Sequence, residues 1–268
     1  MSARISPGEL IPCLPDGESV KVVGLGGVGS IAVRYLSVFM ASLQQPLRLI
    51  CIDGDQYEPA NATRVLFARC GNKASVTVGE LYERLGETEL TLLAVEEYVT
   101  PDNAERLIRD GDCILLAVDN HATRKLVGDH CRRLRDVVLI SGGNDGVETD
   151  SAGRQLRGTY GNCQVFIRRD GEDLCPDLTR YHPEIRQPED HLPTDKSCTE
   201  MISSVPQILF ANLQAAAAML NAFWLYACDA LHYSELAFDI AEGRMQPLPL
   251  PAPKRHLAGR RSAGPAVR

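Results

Sequence analysis

The nine cysteines of this 268-residue chain never lie closer together than twelve positions, so the sequence contains no C-x-x-C pair. That spacing speaks against a zinc site built on paired cysteines, and their odd number speaks against a disulfide framework. No structural zinc is expected, and a reducing cytoplasm is the expected compartment. Met1 to Glu18 lacks the apolar core of a signal peptide. Positive charge is also scarce: residues 1–243 hold 22 bases against 35 acids, a balance of −13. A body so acidic is a poor general nucleic-acid binder, because duplex affinity comes mainly from phosphate neutralisation. One long apolar run exists, at 206–228, but Gln207, Asn212, Gln214 and Asn221 interrupt it and no Lys or Arg flanks it. It reads as a buried central helix or a subunit interface, not a membrane span.

Apolar residues make up 44% of the chain, ample for a sizeable core. Short apolar runs at 20–25, 47–52, 91–95, 113–118, 137–140 and 162–168 read as strands. Helical patterns at 29–43, 73–85, 101–109 and 121–134 separate most of them. This alternation predicts an α/β fold with a mainly parallel sheet covered by helices on both faces. Residues 142–162 read as loop. Residues 170–198, with four prolines among many charges, read as a long mobile loop without a core of its own. After the long helix, strands near 235–240 and 244–248 flank the turn Ala241-Glu242-Gly243. QPLPLPAP (246–253) suits an extended polyproline segment. The expected division is a body at 1–243, then a last short strand and a proline-rich tail at 244–268. That tail carries six bases and no acid and reads as disordered.

The first chemical signal is VVGLGGVGS, which places Gly24, Gly26, Gly27 and Gly29 between a strand and a helix. The spacing matches a phosphate-binding glycine turn, where the backbone approaches the ligand closely and the helix N-terminus supplies N–H donors. Asp53 ends the second strand, 24 positions after Gly29, where a carboxylate can accept both ribose hydroxyls. That alone suits NAD or ATP. Asn61, Arg64 and Lys73 follow, and Asp119-Asn120 comes after the fourth strand. A dinucleotide oxidoreductase has no need of an Arg and a Lys there. A triphosphate does, because its charge must be held and its α-phosphorus made electrophilic. Asp119, beyond the C-terminal end of a buried strand, is placed to hold Mg²⁺ on the phosphates.

The ordered set G24-L-G-G-V-G-S30, D53-G-D55-Q-Y-E-P-A-N61-A-T-R64, K73 and D119-N120 resembles the ThiF/MoeB family, the adenylating domain of ubiquitin-activating enzymes, over roughly residues 20–240. The resemblance implies a Rossmann-like fold with antiparallel C-terminal strands. It implies ATP and Mg²⁺ as cofactors and adenylation of the C-terminal carboxylate of a ubiquitin-like or sulfur-carrier protein. In that family the matching residues serve as ribose ligand (Asp53), phosphate ligands (Asn61, Arg64, Lys73) and magnesium ligand (Asp119). It also implies a homodimer and, in conjugating relatives, transfer to a conjugating-enzyme-like protein. The rival outcomes are sulfur-carrier activation for thiamin or molybdopterin synthesis, adenylation of a small or tRNA-linked carboxylate, and a non-catalytic nucleotide-binding subunit.

Cys198 lies just before the long apolar helix, where a thiol has a lowered pKa and can act as an acyl acceptor. Compact ubiquitin-activating relatives carry their acceptor cysteine at a matching position. Cys175, in the same loop, is the alternative nucleophile. Cys51, Cys113 and Cys228 read as core, and His182 and His191 as solvated loop residues.

Overall fold

Val20, Val22 and Val23 begin the core, and their alternation explains its two halves. Val20 and Val22 face one side of the sheet and Val23 the other. The computed structural model describes residues 10–63, 65–149, 153, 155–195 and 207–250. Its elements are β1 (Ser19–Val23), α1 (Gly29–Ser42), β2 (Arg48–Ile52), β3 (Gln56–Tyr57), β4 (Gly71–Asn72), α2 (Lys73–Leu85), β5 (Thr91–Val95), α3 (Ala104–Leu107), β6 (Cys113–Leu116) and α4 (His121–Cys131). They continue with β7 (Val137–Asn144), β8 (Val147–Thr149), β9 (Gln155–Arg157), β10 (Tyr160–Arg169), β11 (Glu172–Asp173), α5 (Pro183–Arg186), α6 (Leu209–Ala227), β12 (Tyr233–Asp239) and β13 (Arg244–Pro249).

The main sheet runs β13-β12-β10-β7-β6-β1-β2-β5, with β11 paired to β10. The five strands β7, β6, β1, β2 and β5 are parallel, and β10 to β13 are antiparallel. The fold is therefore a mainly parallel α/β sheet with an antiparallel C-terminal extension. Helices α1, α2 and α6 bury their apolar sides on one face, and α3, α4 and α5 on the other. Strands covered twice read as unbroken apolar runs: in β6, Cys113 and Leu115 point to one core and Ile114 and Leu116 to the other. Lys21, in the middle of β1, is compensated: its Nζ lies 2.5 Å from Asp112 Oδ2 and donates to the Leu107 carbonyl at 2.7 Å. The strand order reverses at β1 and β6, so a crevice opens beyond their C-terminal ends, where open α/β sheets bind ligands.

Three local expectations need correction. Residues 142–162 are not all loop: β7 runs on to Asn144, β8 and β9 form a hairpin, and β10 starts at Tyr160. Residues 246–249 are not a free polyproline segment: the strand expected at 244–248 is β13, which runs on to Pro249 and pairs with β12 at the sheet edge. Proline is tolerated there because an edge strand needs ladder donors on one side only. The described residues after β10 are not detached from the body but pack onto its core. Cys175, Leu178 and Ile185 are buried, and Leu178 and Ile185 pack with Val127 of α4 and Phe166 of β10. Helix α6 matches the predicted buried helix, with Ala215, Ala218, Met219 and Ala222 inaccessible. Among the described residues no helix is long and apolar enough to cross a membrane.

Candidate active site

The crevice is a cavity of about 370 Å³ between the glycine turn, the β2–α2 connection and the ends of β6 and β7. Gly24 leaves β1 with φ +87°, and a Cβ there would lie 2.9 Å from the Ala117 carbonyl oxygen. At Gly29 a Cβ would meet the Gly24 carbonyl at 1.8 Å. Only glycine lets the chain fold back this tightly to start α1. Gly26 and Gly27 line the cavity.

Asp53 sits at the mouth of β2, only 7% exposed. Its Oδ2 accepts the Leu25 N–H at 2.6 Å and its Oδ1 accepts the Asp55 N–H at 2.8 Å. Burial raises its pKa, while Lys73 and the two N–H donors pull it down. Each oxygen keeps lone-pair capacity for another donor, and the carboxylate is locked in place before any ligand arrives. The short β3–β4 ribbon turns the chain back so that Lys73 begins α2 beside Asp55. Lys73 Nζ is 2.9 Å from Asp55 Oδ2, and Tyr98 Oη donates to Asp55 Oδ1. Asn72 holds this corner. Its side chain caps α2 by accepting from Ala74 and Ser75, and donates to the carbonyls of Asp53 and Asp55.

Asn61 lines the cavity from the turn Pro59–Thr63, and its Oδ1 accepts the Glu58 N–H at 2.9 Å. Asp119 is an exposed carboxylate on the rim with no hydrogen bond or ion pair among the described residues. Asn120 also lines the cavity, and its side-chain oxygen caps α4 through the Thr123 N–H at 2.7 Å. Gly24, Gly26, Gly27, Asp53, Asp55, Asn61, Lys73, Asp119 and Asn120 thus meet at one cavity, with Gly29 behind the turn. Arg64 lies outside the described residues, as does Cys198.

Cys175, the alternative nucleophile, lies in the core and away from the cavity. It is 4% exposed, does not line the cavity, and burial pushes its thiol up to about 12. Burial of this kind disfavours the reactive thiolate. His182 is also not simply solvated. Its ring bridges Glu184 (2.7 Å) and Glu235 (2.9 Å). Among the described residues no cluster of three His, Cys, Asp or Glu side chains is arranged to hold a metal on protein ligands alone.

Three site residues escape a reading from the sequence. Asn72 and Tyr98 act through Asp55. Arg124 is buried in α4, donating to Ser141 Oγ at 3.0 Å and to the carbonyls of Val118 (2.9 Å) and Gly142 (3.1 Å). The D119-N-H-A-T-R124 spacing was the available signal, since Arg124 returns to the Asn120 face of α4 after one turn.

The sequence matches the ThiF family over residues 17–257. The chain belongs to the ThiF family. This ThiF-family chain is 33% identical over 112 residues to the adenylyltransferase and sulfurtransferase uba4 of Emericella nidulans, covering 41% of this chain and 22% of that protein. It is 28% identical over 137 residues to the SAMP-activating enzyme E1 of Haloferax volcanii, 48% of each chain. The matched stretch thus spans less than half the length of either relative. Its fold is shared with E. coli MccB, solved with ATP: TM-score 0.61 at 16% identity, covering 87% of this chain and 64% of that one.

Proposed function

We propose that this ThiF-family chain adenylates the C-terminal carboxylate of a ubiquitin-like or sulfur-carrier protein at the expense of ATP. The observation that carries the reading is the placement of Asp53, Lys73 and Asp119 around one glycine-lined cavity. Asp53 receives the ribose hydroxyls on lone pairs that its two backbone bonds leave available. The turn Gly24–Gly29 and the N-terminus of α1 take the phosphates. Lys73, Asn61 and Arg64 hold the charge that grows on the α-phosphoryl group.

Five carboxylates line the cavity (Asp53, Asp55, Glu97, Asp119 and Asp145) against Lys73 and Arg124 among the described residues. So acidic a lining needs a cation to accompany the nucleotide. Asp119, without an ion pair among the described residues, fits Mg²⁺, which is usually held by one or two carboxylates plus substrate phosphates. The ion would neutralise phosphate charge there.

The carrier's carboxylate oxygen attacks the α-phosphorus, the bond to the bridging oxygen breaks, and pyrophosphate leaves. The Cys198 thiolate then attacks the acyl carbon and AMP departs, leaving a thioester for a conjugating-enzyme-like acceptor. Similarity to the adenylyltransferase and sulfurtransferase uba4 favours a second outcome, in which the same adenylate feeds sulfur transfer. Exposed Phe210 and Leu213 on α6 suit a homodimer contact.

The test is exchange of pyrophosphate into ATP. Exchange that appears only with a ubiquitin-like protein ending in free glycine supports the proposal. Exchange with tRNA, or with no acceptor, overturns it. A thiocarboxylate on the carrier, instead of an enzyme thioester, selects the sulfur-transfer branch.

A further inference from the structure

Helix α4 leaves the cavity rim directly after Asp119-Asn120, and its first N–H groups have no partner within the helix. Asn120 takes the Thr123 N–H at 2.7 Å. The other two are taken from far away in sequence. Asp190, in the segment that follows β10, accepts the His121 N–H on Oδ2 at 2.7 Å and the Ala122 N–H on Oδ1 at 2.8 Å. Both carboxylate oxygens are therefore seated on the positive end of an eleven-residue helix.

A second observation makes this seat more than a cap. Arg124, one turn along, is only 7% exposed and lines the cavity. It forms no ion pair among the described residues, and Asp119 and Asp190 are the leading acids whose fields act on it. A buried cation without a close counterion is costly, so a carboxylate nearby in the same turn offsets part of that cost. Asp190 thus compensates the helix terminus and the buried arginine together. Three residues further on, Pro193 forms part of the cavity wall.

We infer that Asp190 is a positioning residue: its carboxylate ties the described residues that follow β10, up to Asp195, to the start of α4 and so holds the Pro193 wall of the cavity in place. Among the described residues the segment's other ties lie further back, from Asp177, which pairs with Arg132 at the end of α4, through Leu178 and His182 to Ile185, which packs with Val127 of α4. None of these reaches the cavity. The inference goes beyond the adenylation reading and does not depend on what the cavity binds.

The test is limited trypsin digestion of the full chain without nucleotide, with cleavage after Arg180 and after Arg186 followed by mass spectrometry. Two charge-assisted bonds are lost in Asp190→Ala, and cleavage at these sites is expected to rise about tenfold or more, with little change in the melting temperature of the sheet. Asp190→Asn keeps one acceptor oxygen without the charge and should fall between the two, which covers failure of the alanine variant to fold. Sodium acetate, supplied to Asp190→Ala, should slow cleavage back toward the wild-type rate by filling the vacated seat, while sodium chloride at equal ionic strength should not. Wild-type cleavage rates in both variants overturn the inference. So does acceleration that acetate leaves untouched, since the carboxylate would then not be what holds the segment.

Discussion

Lys73 Nζ rests 2.9 Å from Asp55 Oδ2, and the same carboxylate accepts a hydrogen bond from Tyr98. The lysine is thus parked one residue-pair away from Asp53, on a carboxylate whose side chain is half exposed. A phosphate entering the cavity competes with Asp55 for it. Lys73→Ala should lower pyrophosphate exchange by about 10²- to 10³-fold, the usual effect of removing one donor that stabilises transition-state charge. Its melting temperature should hardly move, because a partly solvent-exposed pair contributes little. Unimpaired exchange would remove Lys73 from the chemistry.

Asp119 separates function from folding more sharply. Its carboxylate is exposed and makes no hydrogen bond or ion pair among the described residues. Asp119→Ala should therefore abolish exchange while the denaturant midpoint stays within error of wild type. Titrating Mg²⁺ should rescue neither this variant nor Asp119→Asn, and rescue of the alanine variant would take the metal elsewhere.

The buried thiol of Cys175 and the proposed nucleophile Cys198 give opposite expectations. With ATP and a competent carrier, a thiol-sensitive adduct should form in Cys175→Ala and be lost in Cys198→Ala. An adduct kept in Cys198→Ala would exclude that residue. Cys175→Ala is expected to lose stability instead, through the space it leaves in the core.

Lys21 and Asp112 form a buried ion pair at 2.5 Å, with both side chains 7% exposed. Asp112→Ala leaves the ammonium without a counterion inside the sheet and should cost about 3–5 kcal/mol by chemical denaturation. Replacing both, with Lys21→Met and Asp112→Leu, should recover much of that loss. A double variant as unstable as the single one would show that Asp112 acts through its bond to the Arg109 N–H instead.

His182 gives a pH signature. Burial by itself would lower its pKa, but hydrogen bonds to Glu235 and Glu184 outweigh burial and raise it above the ordinary 6.5. The folded state therefore favours the protonated ring. That contribution is complete below the unfolded value and is lost as pH rises through the raised folded value. The stability gap between wild type and His182→Gln should be wider at pH 6 than at pH 9. A gap independent of pH would mean that the ring stays neutral throughout.

Much of the fold was legible because it is written in local periods. The apolar runs of β1, β2, β5 and β6 and the amphipathic α2 each announce themselves within a short window. The β8–β9 pair was not, because residues 142–162 read equally well as loop, and the extent of β13 beyond residue 248 was hidden by its prolines. Asn120 shows the same limit within the site. Its place after β6 suggests a ligand, and only the structure shows that its side-chain oxygen also caps α4 through the Thr123 N–H.

What the sequence determined by itself was the α/β alternation, the glycine turn between β1 and α1, and the order of acids and bases along the chain. These depend on neighbours within a few residues, where steric and hydrogen-bonding preferences act directly. Only the tertiary structure decided that Lys73 returns to Asp55, that Cys175 is sealed into the core, that Arg124 is buried without an ion pair among the described residues, and that Asp190 seats itself on α4. Each of these joins groups far apart in sequence or depends on total burial. Such pairings follow from how the sheet and its helices pack, and no local pattern carries that information.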